Sequence, residues 1–269
     1  MRSILRRTAL LAALLLPPLA AVHAQAPAPA AAPAPASKLD AIIAAGVLKV
    51  GLTGDYKPFS FRDPQTGTFS GIDVDMAEAL AKAMDVKLEI VQTAWPTLMA
   101  DLLAGKYDIG MGGITITLPR LKTAFFSNPV MVAGKTPIAL CANKDKFQTL
   151  AQIDRPEVTV IANPGGTNES FDRANLHAAK ILIFPDNATI FEQIVQGHAD
   201  LMITDGVETR LQQKLHPELC AIHPDKPFNT SELGYMLPRD MALKLFVDEF
   251  LREADRSGAH AAIVSKWLD

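Results

Sequence analysis

In the first half of the chain, short continuous apolar runs alternate with segments in which apolar residues recur at helical spacing. Short apolar runs at residues 47–51, 86–91 and 107–111 are typical of buried strands. Between these runs, residues 73–84 and 95–104 place apolar side chains every three or four positions, which is the spacing of one helix face. This order predicts a β-α-β-α-β unit with a parallel sheet whose faces are covered by helices.

A second unit of the same kind follows. The strand predicted at residues 158–161 leads through a glycine-rich turn to a helix that starts near Glu169. Further strands are predicted at 181–184 and 199–204, with helices between and after them. The two halves predict an α/β fold of two lobes, each a mixed sheet flanked by helices, with the ligand cleft between the lobes.

The predicted lobes are not continuous in sequence. We expect the chain to cross between them near residues 132–138 and again near 233–238, after which two C-terminal helices return to the first lobe. Lobe 1 therefore takes residues 38–135 and 236–269, and lobe 2 takes residues 136–235.

The N-terminal segment has the three parts of a secretory signal. Three arginines among the first seven residues precede an apolar run to Val22, and a small-residue site predicts cleavage after Ala24. The apolar run is too short, and too interrupted by proline, for a membrane span. Residues 25–37 are almost all Ala and Pro, which is typical of an extended linker. The mature protein is therefore expected in the periplasm, without a membrane anchor.

Charge and cysteine content narrow the possible partners. The formal net charge is −3, and no basic run with interleaved aromatic residues occurs, so nucleic-acid binding is not expected. The six histidines show no HExxH spacing, and no metal site is predicted. Export to an oxidising compartment favours a disulfide between Cys141 and Cys220. Two buried free thiols are the alternative.

Residues 163–169 have the features of an anion site. Gly165 and Gly166 lie between a strand and a helix start, where free backbone N–H groups and the helix dipole favour a carboxylate ligand. Glu169 places an acid at the same point. It either caps its own helix through the dipole or takes part in the chemistry of the site.

The order of parts resembles the type II periplasmic solute-binding proteins for polar amino acids, over nearly all of residues 38–269. The motifs that carry this resemblance are 54–59, 71–76, 107–109, Arg120 before 126–129, and 199–201 before Asp205. A closer similarity is to the enzyme branch with this fold, the periplasmic cyclohexadienyl dehydratases. It is carried by residues 53–60, 163–169 and 215–221.

The resemblance implies a carbon–oxygen lyase that converts prephenate to phenylpyruvate and arogenate to phenylalanine, without a metal or an organic cofactor. The ring hydroxyl leaves as water while the ring carboxylate leaves as carbon dioxide. Glu169 matches the general acid proposed for that branch, and it must be protonated to act. We expect the closed, substrate-filled cleft to raise the pKa of Glu169 against the pull of the helix N-terminus.

The same motifs supply the other candidate site residues. Arg120 would clamp a carboxylate, with a surface salt bridge as the alternative. Thr167 and nearby backbone N–H groups would hold the second carboxylate, and Tyr56 and Trp95 would wall the ring unless they are ordinary core residues. In amino-acid binders an aspartate at the position of Asp205 typically holds the ligand's amine; the alternative is a helix N-cap. The remaining substrate-binding candidates are Thr115, Asn128, Lys135, Gly166 and Asn168.

Two functions stay open at this point. The chain is either the dehydratase or a non-catalytic protein that delivers an amino acid to an ABC transporter. Formation of phenylpyruvate from prephenate, followed by ultraviolet absorbance, separates the two.

Overall fold

A computed structural model describes residues 37–269. The predicted signal peptide, its cleavage site after Ala24 and nearly all of the predicted linker lie outside the described residues. The first described helix begins with a capping box, in which the Ser37 side chain accepts from the backbone of Asp40 and the Asp40 carboxylate accepts from Ser37. It ends at Gly46, whose φ of 67° is the left-handed conformation that glycine adopts without strain.

The helices of the described chain fall close to the predicted segments. They are α1 (Lys38–Ala45), α2 (Ile72–Ala83), α3 (Leu98–Leu103), α4 (Leu118–Leu121), α5 (Leu150–Ile153), α6 (Thr167–Asn175), α7 (Ile190–Val195), α8 (Gly206–Leu215), α9 (Met241–Ser257) and α10 (Ala259–Leu268), with a 3-10 helix at Cys141–Lys146. None of the helices between residues 37 and 269 is long and apolar enough to cross a membrane.

The strands form two large sheets and two small ones. They are β1 (Val47–Leu52), β2 (Asp55–Tyr56), β3 (Ser60–Arg62), β4 (Phe69–Ser70), β5 (Lys87–Gln92), β6 (Ile109–Gly110), β7 (Phe125–Phe126), β8 (Met131–Ala133), β9 (Lys135–Leu140), β10 (Thr159–Ala162), β11 (Lys180–Ile183), β12 (Leu201–Asp205), β13 (Leu219–Ala221), β14 (Ser231–Leu233) and β15 (Met236–Leu237).

The first large sheet has the order β5-β1-β6-β15-β7. Strands β5, β1 and β6 are parallel, as predicted, because helical connections carry the chain back to the same end of the sheet. Strand β15 returns from the second half of the chain and pairs antiparallel to β6 and β7. We call this sheet with its helices lobe 1.

The second large sheet has the order β11-β10-β12-β9-β13. Strand β10 is parallel to β11 and β12, whereas β9 is antiparallel to β12 and β13. We call this sheet with its helices lobe 2. The mixed sheets confirm the predicted fold class. Because β9 begins at Lys135, that residue already belongs to the second sheet, and the sequence bounds proposed for the lobes stay a prediction.

The two segments that cross between the lobes pair with each other. Strands β8 and β14 form an antiparallel ladder at Met131–Ala133 and Ser231–Leu233. After β1, residues 55–70 form the small antiparallel sheet β2-β3-β4, since a turn at residues 63–67 brings β4 back against β3.

Each lobe has its own apolar core. In lobe 1, Leu48 and Val50 of β1 pack with Leu80 of α2 and Val247 of α9. In lobe 2, separate apolar clusters cover the two faces of the second sheet. The burial of whole strands on both faces explains why their sequences are almost continuously apolar.

Cys141 and Cys220 form a disulfide, which confirms the first of the two sequence alternatives. The bond links Cys141, the residue directly after β9, to β13, the edge strand of the second sheet, and closes a segment with a sequence separation of 79 residues. A disulfide across a loop of this length reduces the conformational entropy of the unfolded chain, and so it stabilises the folded state.

Replacement of both cysteines by serine is therefore expected to lower the free energy of unfolding by about 2–5 kcal/mol. Urea unfolding of the purified protein measures this change, and the reduced wild type should give a similar midpoint. Equal midpoints for the oxidised wild type and the double variant would contradict a stabilising role for this bond.

Candidate active site

A small cavity lies between the two lobes, where the carboxyl ends of parallel strands from both sheets meet. Its walls come from residues that follow β1, β5 and β6 in lobe 1, and from residues that end or follow β10, β11 and β12 in lobe 2. Its volume is about 20 Å³, which is room for about one water molecule. The lining residues are Tyr56, Trp95, Gly113, Thr115, Asn163, Gly166, Thr167, Asn168, Asn187 and Asp205.

Polar contacts join the lobes around this cavity. The Tyr56 hydroxyl donates to Asp205 Oδ2 at 2.6 Å. The hydroxyls of Thr115 and Thr167 lie 3.3 Å apart. The Asn187 side chain completes this set with a bond to the backbone of residue 55. The cavity is therefore enclosed by bonds that must change when the lobes move apart.

The glycine turn lies directly against lobe 1. Gly165 has a φ of 78°, and a Cβ at this position would be 2.7 Å from Cα of Pro96. Both the backbone conformation and the close approach to Pro96 therefore require glycine. The helix α6 begins after Gly166, and Gly166, Thr167 and Asn168 line the cavity, so the start of the helix adjoins it, as an anion site requires.

Asp205 is fully engaged by protein groups. Its Oδ1 accepts from Nζ of Lys135 at 2.9 Å, while Oδ2 accepts from Tyr56. Both charged side chains are only 3% exposed. Asp205 occupies the N-cap position of α8, but its side chain makes no capping bond, so the N-cap alternative does not describe its role. The negative charge of Asp205 is therefore balanced by Lys135, a residue of the same lobe.

Two other acids lie buried in lobe 2. Burial raises the pKa of Glu208 to about 8, and its Oε2 accepts from the Thr204 hydroxyl. The Nδ2 of Asn168 donates in turn to Thr204 at 3.1 Å, which fixes one cavity wall. Burial also raises the pKa of Asp172, on the inner face of α6, to about 8. Both acids are therefore mostly protonated at pH 7 and add little negative charge beside the cavity.

Glu169 is held at the base of the glycine turn. Its Oε2 accepts from the backbone N–H of Gly165 at 2.8 Å, and its Oε1 accepts from Nε of Arg173 at 2.8 Å. These bonds, first the Gly165 N–H and then Arg173, lower the pKa of Glu169. In this conformation Glu169 lies outside the cavity wall and caps the start of its helix as an anion, so a catalytic role requires that it exchange these partners.

Arg120 and Asn128 lie outside the wall of the cavity. The Arg120 guanidinium donates to the backbone oxygen of Thr115 at 2.7 Å, and burial lowers its pKa. Thr115 thus lies between Arg120 and the cavity. Arg120 makes no salt bridge with an acid among the described residues, so the surface salt bridge considered as the alternative is not formed. Asn128 is exposed, and its backbone N–H donates to Asp248 of α9. The structure does not bring Asn128 to the site.

Most of the predicted site residues do meet at the cavity. Tyr56, Trp95, Thr115, Gly166, Thr167, Asn168 and Asp205 line it, and Lys135 reaches it through Asp205. Three further residues line the cavity and were not among the predicted site residues, namely Gly113, Asn163 and Asn187. All three follow the carboxyl end of a parallel strand, and this position in the sequence could have identified them as candidates for ligand binding.

Comparison with known proteins places this geometry in a family. Residues 48–269 match the family model of the bacterial extracellular solute-binding proteins, family 3. The cyclohexadienyl dehydratase of Pseudomonas aeruginosa is 54% identical over 233 residues, which cover 87% of each chain.

Two solved structures of ancestral proteins are also similar. An ancestral amino acid-binding protein, described as a precursor of cyclohexadienyl dehydratase, is 37% identical with a TM-score of 0.81, and the match covers 87% of this chain and 100% of that one. An ancestral cyclohexadienyl dehydratase is 50% identical with a TM-score of 0.55, over 87% of this chain and 97% of that one. The chain therefore belongs to the bacterial extracellular solute-binding proteins, family 3.

Proposed function

We propose that this protein is a cyclohexadienyl dehydratase, a carbon–oxygen lyase that converts prephenate to phenylpyruvate and arogenate to phenylalanine. The observation that carries the proposal is the 54% identity, over 87% of both chains, to a relative of that name. The family is extracellular by its description, and we propose that the mature protein works in the periplasm after cleavage behind Ala24.

The charges of the cavity support a doubly anionic substrate. Backbone N–H groups at the start of α6 suit one carboxylate, and Arg120, one contact behind Thr115, can reach a second when the lobes open. Because Asp172 and Glu208 are mostly protonated, they do not repel these carboxylates. We assign substrate binding to Tyr56, Trp95, Thr115, Thr167 and Asn168 as well, on their position in the cavity wall.

The reaction needs one proton and a substrate held with its leaving groups aligned. The C–O bond to the ring hydroxyl breaks with its electron pair on oxygen, and the proton from Glu169 completes a water molecule. The electron pair of the bond to the ring carboxylate enters the ring, which becomes aromatic, and carbon dioxide leaves. General acid catalysis of this kind contributes about 10²–10⁴-fold.

The cavity must enlarge before this reaction. A pocket for a compound of this size is about 300–1,000 Å³, far more than the closed cleft offers. Separation of the lobes breaks the bond between Tyr56 and Asp205 and lifts Pro96 from the glycine turn. When the cleft closes over the substrate, loss of water and the nearby carboxylates favour the neutral form of Glu169.

The alternative function is delivery of an amino acid without catalysis. Recognition of an α-amino acid requires an acidic partner for its ammonium group. Asp205 is the acid in the cavity wall, and Lys135 already occupies one of its oxygens while Tyr56 occupies the other. This internal pairing leaves Asp205 without a free oxygen for an ammonium group, and so it supports prephenate, which has no ammonium group, over an amino-acid ligand.

The wild-type protein is therefore expected to form phenylpyruvate from prephenate and phenylalanine from arogenate. Ultraviolet absorbance follows the first product, and chromatography follows the second. Heat-inactivated protein controls for the spontaneous reaction. Tight binding of an amino acid in a calorimeter, with no product from either substrate, would contradict the proposal and establish the carrier function.

A further inference from the structure

Asn187 lines the cavity but belongs to none of the motifs discussed above. It lies in the loop between β11 and α7, and only 5% of its surface is exposed. A buried amide in a loop is costly unless its donor and acceptor both find partners. The partners of its Nδ2 and Oδ1 atoms therefore indicate which kind of ligand group Asn187 can bind.

The donor end of Asn187 is fixed by lobe 1. Its Nδ2 donates to the backbone oxygen of Asp55 at 2.9 Å. This bond sets the orientation of the amide, because a carbonyl oxygen can only accept and so must face the NH₂ group. The other end, Oδ1, is buried and has no hydrogen-bond partner among residues 37–269. A hydrogen-bond acceptor of fixed direction is thus left without a partner, on a residue that lines the cavity.

We propose that Oδ1 of Asn187 accepts a hydrogen bond from the ring hydroxyl of the substrate, the group that leaves as water. This assignment rests on the proposed dehydratase function. Prephenate carries two carboxylates and a keto group. The ionised carboxylates and the keto oxygen can accept hydrogen bonds but cannot donate them. The ring hydroxyl is the one donor that prephenate and arogenate share, and so it is the group that a free acceptor can serve in both reactions.

The proposed bond also strengthens during the reaction. As the hydroxyl oxygen takes up a proton, it gains positive charge and its O–H groups become stronger donors. A fixed acceptor at this point stabilises the transition state more than the bound substrate, which is the requirement for catalysis. Asp205 is less suited to this task because its two oxygens are bound by Lys135 and Tyr56.

Replacement Asn187→Leu tests the assignment, since it removes the acceptor with little change in size. We expect kcat to fall at least about tenfold with both prephenate and arogenate. Affinity for phenylpyruvate, which has no ring hydroxyl, should stay within about twofold of the wild type. Asn175→Leu is a matched control, because its Nδ2 also donates to a backbone oxygen, that of Phe171, away from the cavity.

The possible outcomes differ in what they overturn. Unchanged kcat would remove Asn187 from the reaction, and an equal loss of phenylpyruvate affinity would show that it only holds the two lobes together. A loss with arogenate alone would assign Oδ1 to the amine instead of the hydroxyl. If the wild type turns over neither substrate, the proposed function fails first and this assignment fails with it.

A second measurement does not depend on the folding of a variant. Co-crystals of the wild type with a saturated analogue, which keeps both carboxylates and the ring hydroxyl but cannot become aromatic, locate the hydroxyl directly. We expect its oxygen about 2.6–3.0 Å from Oδ1 of Asn187. A separation beyond about 3.5 Å, or a hydroxyl bound elsewhere, would refute the assignment.

Discussion

Glu169→Gln is expected to lower the turnover of prephenate at least about a hundredfold, while substrate affinity and fold are kept. Glutamine has the same shape and can still accept from the Gly165 N–H, but it has no acidic proton to give to the leaving hydroxyl. Steady-state kinetics give kcat, and thermal unfolding checks the fold.

Glu192→Gln is the matched control for this variant. Glu192 is an exposed acid in the first turn of α7, in the same lobe, so its replacement removes the same charge from a similar helix position. Its kcat should remain within about twofold of the wild type, as is usual for a surface substitution. Turnover that survives Glu169→Gln would exclude Glu169 as the acid.

The pH dependence gives the same prediction a second readout. Reaction requires protonated Glu169, and in the closed, substrate-free conformation its pKa lies below the ordinary value of 4.5, so kcat/KM should fall as the pH rises through that acidic region. In the substrate complex the carboxylates of the ligand raise this pKa, so kcat should fall at a higher pH than kcat/KM. A falling limb at the same pH in both profiles would mean that the substrate does not change the proton affinity of Glu169.

The glycine turn shows how much of the site could be predicted from sequence. A strand, two glycines and a helix start are adjacent in the chain, and the chemistry of helix ends is local. The turn and α6 therefore appear where the sequence placed them. The contact of Gly165 with Pro96 could not be predicted, because it depends on how closely the opposite lobe approaches.

Partners that lie far apart in the chain account for the other differences. The sequence identified Asp205 and Lys135 as separate candidates for the substrate, but the antiparallel register of β12 and β9 places them opposite each other. They neutralise each other as a result. Asn187 carried no motif, and its role follows only from a bond to the backbone of the other lobe. Local patterns thus predicted the elements, whereas the charge balance of the cavity required the register of the strands.

Lys135→Met is expected to destabilise the protein by about 3–5 kcal/mol, because it leaves the buried carboxylate of Asp205 without its cation. Methionine fills a similar volume, so the loss reflects charge more than packing. Urea unfolding at neutral pH measures the change. Lys180→Met, on the exposed edge strand β11, should change stability by less than about 0.5 kcal/mol.

The double variant Lys135→Met with Asp205→Asn separates the effect of charge from other effects. Since both charges are removed together, no buried ion is left unpaired, and most of the lost stability should return. The Tyr56 hydroxyl can still donate to the amide oxygen of an asparagine at this position. A double variant as unstable as Lys135→Met alone would show that Lys135 contributes through packing and not through its pairing with Asp205.

The single variant also bears on substrate choice. Without Lys135, the negative charge of Asp205 at the cavity wall is open to a cation from the ligand, and arogenate carries an ammonium group where prephenate carries a keto group. The ratio of kcat/KM for arogenate to that for prephenate should therefore rise, by about tenfold if the new ion pair contributes about 1.4 kcal/mol. An unchanged ratio would place the substrate's amine away from Asp205. In that case the internal pair would serve to hold the cavity wall together, with no part in the choice between the two substrates.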